Sequence, residues 1–240
     1  LPGGHAHPPR TIDKFRSGTL FDVELQAADG TSFGAHALCL MAGSEYFEAL
    51  YSNGWADAEG PLKLSQVSAP ALSAALEYIY CGEVTVEGDA SALTCLLEAA
   101  AYLQMRPLVD AAADALELRL EAGSALPILA VAQQHSLEKL TAAATATAAR
   151  HFCEVTSSEA WPSTPVEAVH ALLGSDRLAT RDEADVYNAA LAWLRAQAPP
   201  LGDDDAAALL SLVRFPLLSR DFVRETVRKE PLLCTNAGLR

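Results

Sequence analysis

Phe21, Val23 and Leu25 alternate with Asp22, Glu24 and Gln26, the period of a β-strand with one buried face. Asp29-Gly30 follows, and both residues tolerate positive φ, so a two-residue hairpin turn is expected, with a second strand over about Thr31 to Ala35. The apolar stretch from Leu38 to Leu50 is long enough for a helix, and Asn53-Gly54 breaks it. Leu62 to Val67 reads as a short strand. Ala71 to Tyr80 reads as a helix with Leu72, Ala75, Leu76 and Ile79 on one stripe, ended by Cys81-Gly82. Glu83 to Val86 reads as a further short strand and Ala90 to Gln104 as a helix.

After Pro107 no strand pattern recurs. Helical segments fall near 107–122, 125–134, 136–153, 165–173, 180–197, 203–213 and 219–228. Thr180 and Glu183 have the spacing of a capping box. The first ~105 residues are therefore mixed α/β and the rest all α, with a boundary expected near 105–110. The Pro- and Gly-rich opening, residues 1–10, reads as a disordered lead. The chain starts at Leu1 rather than Met, which reads as a fragment or a processed form.

Half of the 240 residues are apolar, 20% are charged and Ala supplies about a fifth, a composition that can bury a core and favours helix packing. The apolar stretch Ala125 to Ala132 has 8 residues, far short of the roughly 20 a membrane helix needs. Net charge is −14, and it is uneven. Residues 1–100 hold 4 basic and 13 acidic side chains, residues 101–200 hold 7 and 12, and residues 201–240 hold 6 of each. Such a surface disfavours nucleic acid and anionic membranes and steers towards a basic protein partner. The cysteines, Cys39, Cys81, Cys95, Cys153 and Cys234, form no CxxC pair, so reduced thiols in a cytoplasmic or nuclear protein are expected.

No GxGxxG, GxxxxGK[ST], HExxH or GxSxG occurs. His36 reads as a hydrogen-bonded structural histidine, and His135 as a packing or capping residue. His151 and Cys153 lie two apart, which points them to different faces of a helix. Asp203-Asp204-Asp205 complements the amino end of the next helix. Arg214, Arg220, Arg224, Arg228 and Lys229 interleave with Asp221, Glu225 and Glu230 as a solvated helix face. No catalytic, cofactor or metal site is expected, and the chain reads as a binding module.

The order of motifs resembles the BTB (POZ)–BACK arrangement of Kelch-like proteins. Phe21 to Leu25, Phe33 to Leu38 and Gly43-Ser44-Glu45-Tyr46-Phe47 look like the opening of a BTB domain. Tyr78 to Val84 looks like its helix-to-strand corner, and Ala99 to Gln104 like its closing helix. Ala130 to Ser136, Arg181 to Trp193, Val213 to Ser219 and Glu230-Pro231-Leu232 look like successive stretches of a BACK domain. The resemblance implies an α+β BTB/POZ domain, a small sheet covered by helices, over 15–106. An all-α BACK domain over 107–233 follows it, with residues 1–14 a lead and 234–240 a tail.

The resemblance also implies a function. Such proteins are non-catalytic substrate adaptors of cullin-3 ubiquitin ligases, and their BTB domain and first BACK helices (the 3-box) hold the cullin-3 N-terminal domain. A separate domain, outside this chain, recruits the protein substrate. The contact motif, apolar-x-Glu, falls on Trp55-Ala56-Asp57, where Asp57 reaches one methylene less than Glu. Trp55 reads as an anchor in a partner groove or as a core residue in a loop. Tyr51 and Tyr80 carry over as further contacts, and Leu126, Ile128, Leu129 and His135 as the 3-box groove, where Pro127 is unusual.

Pro8-Pro9 leaves room only for a short first helix, about Thr11 to Ser17, which bears on the homodimer expected through the BTB domain. Ala37 stands where a basic residue is common, against a corepressor pocket. The alternative reading is a BTB–BACK scaffold that oligomerises or binds proteins, transcriptional or cytoskeletal, without cullin.

Overall fold

The computed structural model describes residues 1–2, 6–53, 60–198 and 200–230. The chain divides into two compact units, Leu1–Arg119 and Leu120–Arg240. The sequence reading put the boundary near 105–110. Helix α6 (Arg106–Glu117) packs along α5 (Ala90–Tyr102), which keeps it with the first unit.

The first unit opens with α1 (Pro9–Arg16), starting two residues before the expected Thr11. Residues ahead of it, read as disordered, are partly tied down: Pro2 bridges to Glu83 and the His7 amide donates to the Tyr80 carbonyl. Strands β1 (Val23–Gln26) and β2 (Ser32–Ala35) pair antiparallel, Leu25 opposite Phe33, and β3 (Leu62–Lys63) lies parallel to β1, giving the order β2-β1-β3. The hairpin turn is one residue longer than Asp29-Gly30 alone predicts. Ala27 and Thr31 close a loop of Ala28 to Gly30, and the Ala28 amide is drawn to the Val67 carbonyl at 2.9 Å. Gly34 has a steric reason: a Cβ there would sit 2.0 Å from the Phe21 ring, which lies over the strand.

Three other expected elements differ in the structure. The strand expected over 62–67 is only two residues long, and 83–86 is no strand but the single bridge from Glu83. The helix expected over 38–50 is two, α2 (Ala37–Gly43) and α3 (Glu45–Ser52). Ser44 parts them. Its backbone is extended, its Oγ accepts the Phe47 amide, and its hydroxyl donates to the Leu103 carbonyl at 2.6 Å. Helix α4 (Ala69–Cys81) ends at left-handed Gly82, as the sequence indicates.

Tyr80 of α4 joins these pieces. Its side chain is fully buried and stacks on Phe15 of α1 at 4.0 Å. Its oxygen accepts the His36 backbone amide at 2.8 Å and lies 2.8 Å from His36 Nδ1. His36 Nε2 is 3.2 Å from the Thr19 carbonyl, which can only accept. With a proton on Nε2 the ring donates to the Thr19 carbonyl, and Nδ1 accepts from the Tyr80 hydroxyl.

The second unit is helical: α7 (Ala122–Gln134), α8 (Glu138–Arg150), α9 (Phe152–Thr156), α10 (Val166–Leu173), α11 (Glu183–Ala196), α12 (Asp203–Leu210) and α13 (Arg220–Glu225). Trp161, Tyr187 and Trp193 fill its core. The Trp161 indole donates to the Ala189 carbonyl at 3.0 Å and the Trp193 indole to the Thr164 carbonyl at 2.8 Å, so neither ring buries an unmet donor. Asp182, not Thr180, caps α11, because its carboxylate accepts the Ala184 amide while Thr180 donates to Asp182 and Asp185. The expected continuous helix over 219–228 breaks after Glu225, and Arg224 pairs with Asp221 and Glu225. Buried Glu230 closes the described chain on Arg195 of α11.

Two outcomes are expected. Tyr80→Phe leaves the His36 amide and Nδ1 without their shared partner, at a cost of about 1–3 kcal/mol, read as a lower unfolding midpoint. Burial, with the Glu230 carboxylate adding to it, pushes the Tyr187 phenol from 10.0 up to about 12. Above pH 10 the unfolded chain therefore releases a proton that the folded chain keeps, and stability falls as pH rises from about 10 to 12. Tyr187→Phe should flatten that decline in denaturant titrations across the window.

Candidate protein-interaction site

Helix α3 leads into the segment that carries the sequence-predicted contact motif. Apolar residues on one side fix the helix, Phe47 being fully buried, and the Ser44 cap sets its start. Asn53 ends it, its backbone amide and its side-chain amide both donating to the Ala49 carbonyl, the latter at 2.7 Å. Trp55 and Asp57 lie outside the described residues.

Tyr51 stands half-buried in the last turn of α3, and burial with the Asp22 carboxylate raises its phenol above the ordinary value. Tyr80 also feels Asp22, but its side chain is enclosed and spent on the His36 contact, with no surface to offer a partner. Asp22 itself is a capping group, accepting the Ala37 amide at 2.7 Å at the start of α2.

The residues named for the 3-box all fall on α7. Leu126, Ile128 and Leu129 are buried, at 4%, 1% and 0% exposure, and Leu126 belongs to the core around Trp161 and Trp193. Pro127 stands inside α7 rather than at its first turn, so the Gly123 carbonyl has no i+4 donor. His135 closes α7, its amide donating to the Val131 carbonyl, which agrees with a capping role. Its Nε2 is buried with no hydrogen-bond partner among the described residues. The structure thus places Tyr51 in the last turn of α3 in the first unit, and in the second it places three predicted residues on α7 with His135 at its end.

Some features escaped the sequence reading. Tyr46 of α3 and Tyr102 at the end of α5 meet with ring centroids 5.3 Å apart. Burial, then the Tyr102 hydroxyl, pushes the Tyr46 phenol up to about 12. The two tyrosines lie on different helices and 56 residues apart, so no local spacing signals the pair. Leu20 and Leu38 are each 76% exposed and Phe21 is 36% exposed, three large apolar side chains left at the surface. Phe21 also lines a groove of about 430 Å³ with Asp22, Val23, Glu24, Ser32 and Gly34. Single exposed leucines leave no trace in a periodicity. Among the described residues, no three His, Cys, Asp or Glu side chains come together as a metal-holding group, and no helix is long and apolar enough to cross a membrane. The four described cysteines are free.

Comparison with known proteins adds to this geometry. The BTB/POZ domain model matches residues 12–120, and the BACK (BTB And C-terminal Kelch) model matches residues 125–228. Kelch-like protein 3 of Mus musculus is 30% identical over 228 residues, 95% of this chain and 38% of its own length. Kelch-like protein 26 of Mus musculus is 34% identical over 202 residues, 84% of this chain and 32% of its own length. The BTB domain of zebrafish PATZ1 matches with TM-score 0.40 at 25% identity, covering 45% of this chain and 86% of that one. The chain spans less than two fifths of the length of the curated relatives it matches. A small three-stranded sheet under helices, followed by a helical unit, is the architecture of those two domains in that order, and the chain belongs to the BTB–BACK family of Kelch-like proteins.

Proposed function

We propose that this chain is the non-catalytic adaptor module of a cullin-3 ubiquitin ligase, holding the cullin-3 N-terminal domain. The observation that carries the reading is the unbroken tandem of BTB and BACK domains, with the apolar-x-acid motif placed directly after α3. Trp55 is the anchor, the kind of large aromatic that dominates protein interfaces, and Asp57 supplies the shorter acidic contact. Tyr51 of the first unit and, separately, the stretch from Leu126 to His135 of the second are the further residues assigned to cullin binding. Since Tyr80, Leu126, Ile128 and Leu129 are buried, each acts by holding its own unit in shape rather than by touching cullin. The net charge of −9 over the first hundred residues favours a basic helical face on the partner.

The module works in the cytoplasm or nucleus, a domain outside this chain takes the protein substrate, and a second copy binds through the BTB unit. A scaffold without cullin is the second reading, favoured by the shortened side chain at Asp57 and by the exposure of Leu20 and Leu38.

Calorimetric titration with the cullin-3 N-terminal domain tests the adaptor reading. The wild-type chain should bind in the nanomolar to low-micromolar range. Trp55→Ala should weaken binding by about 2 kcal/mol or more, roughly thirtyfold, with an unchanged unfolding temperature. No binding by the wild type would leave the scaffold, and lost folding in the variant would make Trp55 a core residue.

A further inference from the structure

The turn that joins α1 to β1 carries chemistry that the adaptor reading does not use. Residues Arg16 to Leu20 are all exposed. Ser17 and Thr19 hold their hydroxyls 3.0 Å apart on the turn's outer side. Backbone contacts hold Thr19, its amide donating to the Lys14 carbonyl and its carbonyl facing His36 Nε2, and the Ser17 hydroxyl also donates to the Lys14 carbonyl at 3.3 Å.

The charge around the turn is the second observation. The first hundred residues hold four basic side chains, and three of them, Arg10, Lys14 and Arg16, lie on α1 immediately ahead of the turn. Arg16 stands three residues before Thr19. An acceptor hydroxyl preceded by cations is complementary to a protein-kinase groove lined by carboxylates. The stack of Phe15 on Tyr80 holds α1, while Arg16 to Leu20 beyond it are exposed and open to such a groove.

The chain offers one internal comparison. Arg-x-x-Thr occurs twice, at Arg16–Thr19 and at Arg177–Thr180. The second threonine is half-buried and its hydroxyl is committed, donating to the Asp182 carbonyl at 2.9 Å and to the Asp185 carboxylate at 3.1 Å. A phosphate there would meet that carboxylate and lose both bonds. Thr19 has no such carboxylate among its hydrogen-bond partners, and its neighbours on α1 are cationic.

We propose that Thr19 is a phosphorylation site for a basic-directed Ser/Thr protein kinase, recognised through Arg16. Thr19 Oγ attacks the γ-phosphorus of Mg·ATP. The new P–O bond forms as the bond to the departing ADP breaks, and the hydroxyl proton passes to the kinase's catalytic carboxylate. The product sets about two negative charges beside exposed Leu20 and so opposes docking of an apolar partner there.

The test is incubation of the whole chain with a purified basic-directed kinase and Mg·ATP, followed by peptide mass spectrometry. The expected result is one phosphate on Thr19, retained in Ser17→Ala, absent in Thr19→Ala, and formed roughly tenfold or more slowly in Arg16→Ala. Circular dichroism of each variant should match the wild type, because no hydroxyl or guanidinium concerned is buried. No incorporation, incorporation at Thr180 in preference to Thr19, or an Arg16→Ala rate equal to wild type would overturn the proposal.

Discussion

One buried hydroxyl holds the first unit in shape. Tyr80 cannot be solvated, so its oxygen has to find protein partners, and it finds them in the backbone and ring of His36. That requirement fixes the corner between β2 and α2 against α4. The same ring gives Phe15 a flat surface, which is how a first helix with no buried residue of its own keeps its place. His36 passes the constraint on to the Thr19 carbonyl and so to the turn after α1. Burial raises the Tyr80 phenol, which keeps the hydroxyl protonated and able to donate.

The second unit solves the same problem by other means. Its two largest rings, Trp161 and Trp193, each hand their single donor to a backbone carbonyl, Trp161 to α11 and Trp193 to the stretch ahead of α10. The contacts run in opposite directions across the core, and small alanines such as Ala148, Ala149 and Ala190 let the helices close around the rings. Glu230 and Arg195 then fasten the last described turn onto α11.

Helices were the most readable part of the sequence, because each carries its apolar stripe within itself. Strands depend on partners, and the short ones failed for that reason: β3 pairs for two residues only, and Glu83 finds just Pro2. Local caps were misplaced by small margins where a tertiary contact decided. Ser44 splits an apolar run because the Leu103 carbonyl claims its hydroxyl, and Asp182 displaces Thr180 because its carboxylate reaches the α11 amides first. At the candidate site, motif order placed the residues but could not report burial. Tyr51 and Tyr80 look alike in the sequence, yet one is half-exposed and the other is a structural pivot. Leu20 and Leu38 were invisible for the converse reason, since an apolar residue is expected inside until the fold leaves it out.

The proposed function rests on the first unit, whose fold Tyr80 pins, binding a partner helix. Hydrogen–deuterium exchange on the whole chain, with and without the cullin-3 N-terminal domain, tests that claim most directly. Slowed exchange concentrated over residues 45–60 and along α7 is the predicted result. Unchanged exchange throughout, or protection confined to Leu20 and Leu38 and their neighbours, would contradict it.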